Sequence, residues 1–392
     1  MIHRTEIQAK VETALGRSIV VSLLGPRQCG KTTLAKAIAQ NWDQAHFFDL
    51  ENPRDITRLQ NPMTALEDRR GLIILDEIQS RPELFPILRV LADRKKPNTS
   101  FLILGSASPD ILKNVSETLA GRVEIIHMTG FNLEEIHDTI EKLWIRGGFP
   151  RSYLADSMED SLAWRENFVQ TFLERDLAKF GVKVAPTVMR RFWFMLAHYH
   201  GQIWNASDIS RSLGLSYMTA TRYVDILTQA FMIRQLPPWY VNISKRQVKS
   251  PKIFIRDSGI YHFLLGVNTK TELDIHPKLG ASWEGFVIEQ IIDICKDGNC
   301  YFWRTQSGAE LDLLFIHGGE NIGFEIKYSE TVSTTKSMRI AMKDLSLTHL
   351  FIIYPGKETF PVDTRISAIS LRHIMEILRK ITDHHSSLRE EI

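Results

Sequence analysis

Nine consecutive residues, Gly25-Pro26-Arg27-Gln28-Cys29-Gly30-Lys31-Thr32-Thr33, have the types and spacing needed to hold a polyphosphate. They contain the pattern G-x-x-x-x-G-K-[ST]. Gly25 and Gly30 let the backbone curl so that successive N–H groups point inward, and the N-terminus of the following helix adds positive potential. Lys31 would reach the β- and γ-phosphates, and Thr32 would place its hydroxyl on Mg²⁺. The pattern also fits a glycine-containing turn that matches by accident. The flanks argue for the nucleotide: an apolar run from Ile19 to Leu24 reads as a buried strand, and Leu34 to Ala39 continues as a helix.

A second chemical pair follows a second buried run. Leu72-Ile73-Ile74-Leu75 ends in Asp76-Glu77, so a strand apolar on both faces delivers two carboxylates at its tip. Asp76 would hold Mg²⁺ through water, and Glu77 would orient or deprotonate the water that attacks the γ-phosphate. The alternative is an acidic cap on the next helix. Phe101 to Leu104 forms a further strand ending in Gly105-Ser106. Ser106 either contacts the γ-phosphate or the attacking water, or caps a helix beginning near Pro109. With His46 to Leu50 and Val123 to Ile126, five strands interleaved with helices imply a parallel sheet with its ligand at the strand C-termini.

A third constellation lies near the C-terminus. Glu310 to Ile316 and Ile322 to Lys327 read as alternating strands around His317-Gly318-Gly319-Glu320, and Gly-Gly is a favoured two-residue hairpin turn. Centring the turn on Gly318 and Gly319 opposes Asp312 to Glu325 and Glu310 to Lys327. Opposed carboxylates repel unless a cation lies between them, and a divalent metal is the economical choice. The other reading is a charged, solvent-facing hairpin braced by Glu310 and Lys327. An amphipathic helix opening at Ser282-Trp283-Glu284 adds another carboxylate. The order helix Glu, Asp, Glu-x-Lys resembles the core of the PD-(D/E)XK nuclease fold. That resemblance implies that Asp312, Glu325 and Glu284 hold Mg²⁺ and that Lys327 positions or activates the attacking water.

The phosphate loop, Leu75-Asp76-Glu77-Ile78-Gln79, Leu104-Gly105-Ser106 and Leu119-Ala120-Gly121-Arg122 together resemble the prokaryotic AAA-type ATPases whose C-terminal half is a domain of unknown function. The resemblance implies that Arg122 is an arginine finger reaching a neighbouring subunit's nucleotide, hence a homo-oligomer, or a sensor within its own subunit. A surface Arg capping a strand is the competing reading. Cys29 occupies a position commonly Val or Ala in such proteins, so activity is expected to respond to alkylation.

Between these sites the chain must supply elements that carry them. Leu133 to Phe180 is helical in pattern, broken at Gly147-Gly148-Phe149-Pro150, and sits where an ATPase lid would be. Phe168, Phe172 and Leu173 recur at helical spacing and read as core. Asn205 to Leu213, a Gly214 turn and Tyr217 to Leu227 form helix, turn and helix, with Ser207 and Ser216 placed as caps. Phe231 to Leu236 and Lys252 to Ile255 would pair across a loop holding Lys245, Arg246 and Lys249, which completes a winged helix. Bound to DNA, Tyr217, Thr219, Thr221 and Arg222 would lie on or near the recognition helix and the basic wing on phosphate; the alternative is a protein-packing module. Lys252 to Gly259 again resembles a segment of the AAA-type family.

The expected fold class is therefore α/β: an AAA+-type P-loop NTPase parallel sheet over residues 1–128, a helical lid over 129–199, a winged helix over 200–270 and a nuclease-like α/β domain over 271–392. The 392 residues are 44% hydrophobic and 24% charged with a formal net charge of +2, so any nucleic-acid surface is a local patch. Cys29, Cys295 and Cys300 show no ligand spacing, and no apolar run reaches the roughly 18 residues of a membrane span. The N-terminus has no secretory h-region, which points to a cytoplasmic protein without membrane partners. His198 and His200, or His384 and His385, lack metal spacing. These features lead to a Mg²⁺-dependent ATP-binding and ATP-hydrolysing protein, DNA-associated, whose nucleotide state controls the winged helix and nuclease-like domain. The rival is an ATP-switched regulator or interaction module with a silent nuclease scaffold; a small-molecule kinase would leave the C-terminal half unexplained.

Overall fold

The computed structural model describes residues 2–94, 99–106, 117–136, 139–179, 184–240, 249–295 and 299–383. Pro109, Phe180, Lys245, Arg246, His384 and His385 lie outside them.

Five apolar runs form the first sheet: β1 (Val20–Gly25), β2 (Ala45–Asp49), β3 (Gly71–Asp76), β4 (Thr99–Ser106) and β5 (Val123–His127). The order is β2-β3-β4-β1-β5, and every pairing is parallel. Alternation sends Val21, Leu23, Leu72, Ile74, Leu102 and Leu104 into one core. Val20, Leu24, Ile73, Leu75, Phe101 and Ile103 enter the other. Both faces are thus covered, as parallel strands require. A helix over Thr5–Arg17, absent from the sequence expectations, precedes β1 and buries Val11, Ala14 and Leu15.

Because all five strands run the same way, their C-terminal tips share one edge. Gly25 is in register with Ser106, and Asp76 ends β3 two strands from β1. Arg122 precedes Val123, which is in register with Val20, the first residue of β1. That places the Arg122 backbone at the opposite edge, about 16 Å from the loop at the strand rise.

The next unit is helical through Ile140–Arg146, Pro150–Tyr153 and Met158–Thr171. The last of these continues through a π-helical turn, Phe172–Asp176. Helix Pro186–His198 leads to β6 (Gln202–Ile203), helices Ala206–Leu213 and Tyr217–Gln229, then β7 (Ile233–Leu236) and β8 (Lys252–Ile255). The three short strands form an antiparallel sheet ordered β6-β8-β7. Ser216 caps the second helix of the pair through the Thr219 N–H at 3.1 Å, but Asn205, not Ser207, caps the first. Strand β7 starts at Ile233 and not Phe231, whose φ of 61° takes it out of extended geometry.

The last unit is a six-stranded mixed sheet of β9 (Cys300–Arg304), β10 (Glu310–His317), β11 (Glu320–Ile326), β12 (His349–Tyr354), β13 (Phe360–Asp363) and β14 (Ile366–Ser370). Its order is β13-β14-β12-β11-β10-β9. The hairpin register is the expected one from His317 opposite Glu320 to Leu313 opposite Phe324. Beyond Leu313 the ladder ends, and a register shift between Leu311 and Leu314 bends β10 on its β9 side. Helix Leu279–Cys295 packs on this sheet and is buried almost continuously from Ser282 to Ile292, so it is not amphipathic. One core joins Phe131, Trp144, Leu236 and Phe254 of the preceding segments to Phe286, Val287, Ile291 and Phe324 here.

Candidate functional site

At the shared edge of the first sheet, Gly30 adopts φ 103° as N-cap of helix Lys31–Ala39, a conformation that favours glycine. Lys31 is buried and its ammonium donates to the carbonyls of Gly25 at 3.0 Å and Pro26 at 2.8 Å, folded along the loop it serves. Thr32 Oγ1 donates to Asp76 Oδ2 at 2.7 Å, joining the helix start to the tip of β3. Burial pushes the Asp76 carboxyl above its ordinary value, and the Thr32 hydrogen bond partly offsets this. Thr33 is exposed at the outer side of the helix start.

Glu77 follows in left-handed geometry at φ 56°, and its carboxylate accepts from the Gln79 side-chain amide. Ser106 is buried beside Gly25. Arg27 donates from Nη1 to Asp176 at 2.7 Å and from Nη2 to Glu51 at 3.3 Å. Burial opposes its charge, yet Asp176, Glu77 and Glu51 raise its pKa. The neighbouring Gln28 accepts from the Trp164 indole at 3.2 Å. Thus Pro26, Arg27 and Ser106 line a small cavity closed by Phe168, Phe172 and Asp176 of the following helices. The site fits ATP with Mg²⁺: a hydroxyl and a carboxylate converge, a lysine lies along the loop, Gln28 and Gly30 turn the loop through positive φ, and Gly25 leaves room for the Met128 carbonyl.

Two expectations need correction. Cys29 is 0% exposed, with Sγ 3.7 Å from the Met128 carbonyl, so alkylating reagents do not reach its thiol in this fold. Arg122 donates to both Asp93 carboxylate oxygens, at 2.5 and 3.0 Å, on the edge away from the loop, which removes the sensor role within its own subunit.

The C-terminal carboxylates also converge, around the expected Lys327 and around Lys252, which the sequence reading did not bring to them. Lys252 of β8 is 3% exposed and pairs with Glu310 at 2.5 Å and Glu284 at 3.1 Å. Glu310 is reached at 3.5 Å by Arg304. Lys327 pairs with Glu325 on its own strand segment at 2.6 Å, so the expected Glu310–Lys327 brace does not form. Asp312 Oδ2 accepts the Ile326 N–H at 2.8 Å, because β10 has left the ladder there. Glu325 Oε2 is buried without a hydrogen-bond partner.

Burial, then Asp312, pushes Glu325 up to about 8, with Lys327 opposing; burial pushes Glu284 up to about 7, with Lys252 opposing. Glu284, Asp312 and Glu310 raise the Lys252 pKa against its burial. Among the described residues no group of three or more His, Cys, Asp or Glu is placed to hold a metal ion. A divalent metal therefore does not fit Glu284, Asp312 and Glu325 as they are arranged here; two ammonium groups occupy their field.

Residues 17–137 match the AAA domain family, and residues 137–271 and 279–374 match two families described as domains of unknown function, DUF8612 and DUF4143. The uncharacterized proteins Rv2008c of Mycobacterium tuberculosis and Mb2031c of Mycobacterium bovis are each 49% identical over 376 residues, covering 96% of this chain and 85% of theirs. The chain belongs to their family. The Walker-type ATPase paby2304 of Pyrococcus abyssi matches at a TM-score of 0.51 and 14% identity, over 68% of this chain and 96% of that one, which shows a shared fold.

This family member thus carries an AAA-type, ATP-binding P-loop domain over residues 17–137. Three residues of its sites escaped the sequence reading. Gln79 closed a quoted family segment without being given a role, Asp176 carries no motif, and Lys252 sat within a quoted segment whose family likeness said nothing about a partner sheet. Only a lysine opening a continuous apolar run, Lys252-Ile253-Phe254-Ile255, hinted that this cation is buried. No helix among the described residues is long and apolar enough to cross a membrane.

Proposed function

We infer that the protein hydrolyses ATP with Mg²⁺ and uses the nucleotide state to set its middle and C-terminal units. The hydrogen bond from Thr32 to Asp76 carries this reading, since it brings together the hydroxyl and carboxylate that a nucleotide-bound Mg²⁺ requires. Mg²⁺ held by Thr32 and Asp76 would neutralise charge on the β- and γ-phosphates. Lys31 would exchange its two carbonyl contacts for phosphate oxygens. Glu77, released from Gln79, would take a proton from the attacking water as that water bonds to the γ-phosphorus and the bridging oxygen leaves with ADP.

Arg27 links this chemistry to the rest of the chain. It sits in the phosphate loop and is tied to Asp176 in the π-helical turn, so a γ-phosphate competing for the guanidinium would loosen that turn. The helix pair Ala206–Leu213 and Tyr217–Gln229 followed by β7 and β8 supports a winged helix. Tyr217 is 60% exposed and Met218 80%, and Arg222 is exposed on the same helix, which supports DNA contact there. Arg122, away from the loop in its own subunit, would act only in trans within a homo-oligomer; its exposed pair with Asp93 fits the competing reading of a surface arginine.

A second reading, an ATP-switched regulator with a silent nuclease-like scaffold, is favoured by the ammonium of Lys252 lying between Glu284 and Glu310. Phosphate release without an added acceptor, compared between the parent and Lys31→Ala, tests hydrolysis. DNA retention with and without ATP tests coupling, and identical retention in both proteins under both conditions would remove it.

A further inference from the structure

Four carboxylates, Glu284, Glu310, Asp312 and Glu325, gather where β8 of the middle unit meets helix Leu279–Cys295 and the hairpin of β10 and β11. The cations brought to them have different origins. Lys327 is on the hairpin itself and 42% of its side chain is exposed, so it can swing into solvent. Lys252 cannot. Its side chain is 4% exposed, and its strand is hydrogen-bonded on both sides by β6 and β7. Its ammonium also lies 5.7 Å from the centre of the Phe302 ring of β9.

The middle unit is fastened at this place by further contacts. The backbone of Trp239 donates to Phe302 at 2.7 Å, Phe302 donates back to Pro237 at 3.0 Å, and Arg234 and Arg256 both pair with Glu289. Meanwhile Glu325, 5% exposed, meets Lys327 through Oε1 and keeps Oε2 buried without a hydrogen-bond partner. The Glu325 carboxyl is thus the acid of this cluster that the resident lysines leave incompletely met.

We propose that Lys252 is the resident cation of the C-terminal acidic site and keeps a divalent metal out of it for as long as β8 stays packed against helix Leu279–Cys295. The proposal rests on the nuclease-like reading of that sheet and adds what disables it. An ammonium placed between Glu284 and Glu310 takes one oxygen of each and repels a second cation at short range. The same three acids that could serve as metal ligands, Glu284, Asp312 and Glu325, are thereby divided between two lysines and a backbone N–H. The device belongs to two units at once, because the strand that supplies the lysine follows the helix pair proposed to contact DNA.

The test compares the full-length parent, Lys252→Gln, Lys252→Arg and Lys252→Gln/Asp312→Asn, without nucleotide, titrated with Mn²⁺ and followed by calorimetry and thermal unfolding. Lys252→Gln is expected to bind Mn²⁺ about tenfold more tightly than the parent and to gain thermal stability on binding. Lys252→Arg should behave as the parent, and the added Asp312→Asn should abolish the gain. A folded Lys252→Gln protein with no new Mn²⁺ binding overturns the proposal. If Lys252→Gln does not fold, the parent and Asp312→Asn decide: equal Mn²⁺ binding supports exclusion, and Asp312-dependent binding in the parent overturns it. Failure of Mn²⁺-loaded Lys252→Gln to cleave DNA would count against the nuclease reading and leave the exclusion by Lys252 standing.

Discussion

At the phosphate loop Asp76 meets a hydroxyl, whereas near the C-terminus Glu284 and Glu325 each meet a lysine ammonium. Both sites combine carboxylates with a lysine at the end of a buried strand. In the first, Lys31 spends its donors on the carbonyls of Gly25 and Pro26, and Asp76 accepts from the Thr32 hydroxyl and the Glu77 N–H with no ammonium paired to it among the described residues. In the second, the lysines lie directly on the acids. The contrast teaches that the residue types of a metal site are insufficient: the groups that neutralise the carboxylates within the fold decide whether a metal can enter.

The largest break in this comparison should come from the loop. Lys31→Ala or Asp76→Asn is expected to lower ATP turnover by about a hundredfold or more, measured as phosphate release. Retention of parental turnover in either variant would mean that the two sites do not differ in the way described. Glu77→Gln should cost roughly as much in turnover while leaving ATP affinity within a few-fold, because the group acts on water and not on the nucleotide.

A smaller effect is expected from the pH response of the C-terminal cluster. Glu325 and Glu284 titrate higher in the fold than in the unfolded chain, near 8 and 7, so the folded state holds more protons between about pH 4.5 and 8. Their contribution to stability is complete at acid pH and declines as pH rises through that window. Glu325→Gln, which cannot ionise, should flatten part of the decline in thermal midpoint between pH 5 and 9. Parallel curves for parent and variant would show that the cluster does not strain the fold.

Asp176→Asn should raise ATP affinity by a few-fold, since it weakens the charge-assisted hold on Arg27 that a γ-phosphate must replace. Equilibrium binding of a non-hydrolysable ATP analogue would read this, and unchanged affinity would detach the π-helical turn from the nucleotide. The smallest effect belongs to Arg122→Ala. Turnover should stay within about twofold at low protein concentration, as the exposed pair with Asp93 sits on the far edge of the sheet. A loss that grows with protein concentration would instead place Arg122 on a neighbouring subunit's nucleotide.

Much of the first sheet was readable along the chain because parallel strands buried on both faces are continuous apolar runs, and β1, β3 and β4 are such runs. The register of the β10–β11 hairpin was readable from Gly318 and Gly319, since a two-residue turn leaves one pairing. The departure came just past Leu313. A bulge on the β9 side of β10 cannot be seen from the hairpin alone, and Glu310, just before it, pairs with Lys252 instead of Lys327.

What the amino-acid order determined by itself was local: the phosphate loop, the carboxylates at the end of β3, and the strands that present them, all set by neighbours within a few residues. Tertiary structure alone decided which cation each carboxylate meets. Lys252 and Glu284 are 32 residues apart, and Arg27 and Asp176 are 149 apart. Electrostatic partnership depends on distance in space and on burial, and neither is encoded by spacing along the chain once two packed units bring their surfaces together.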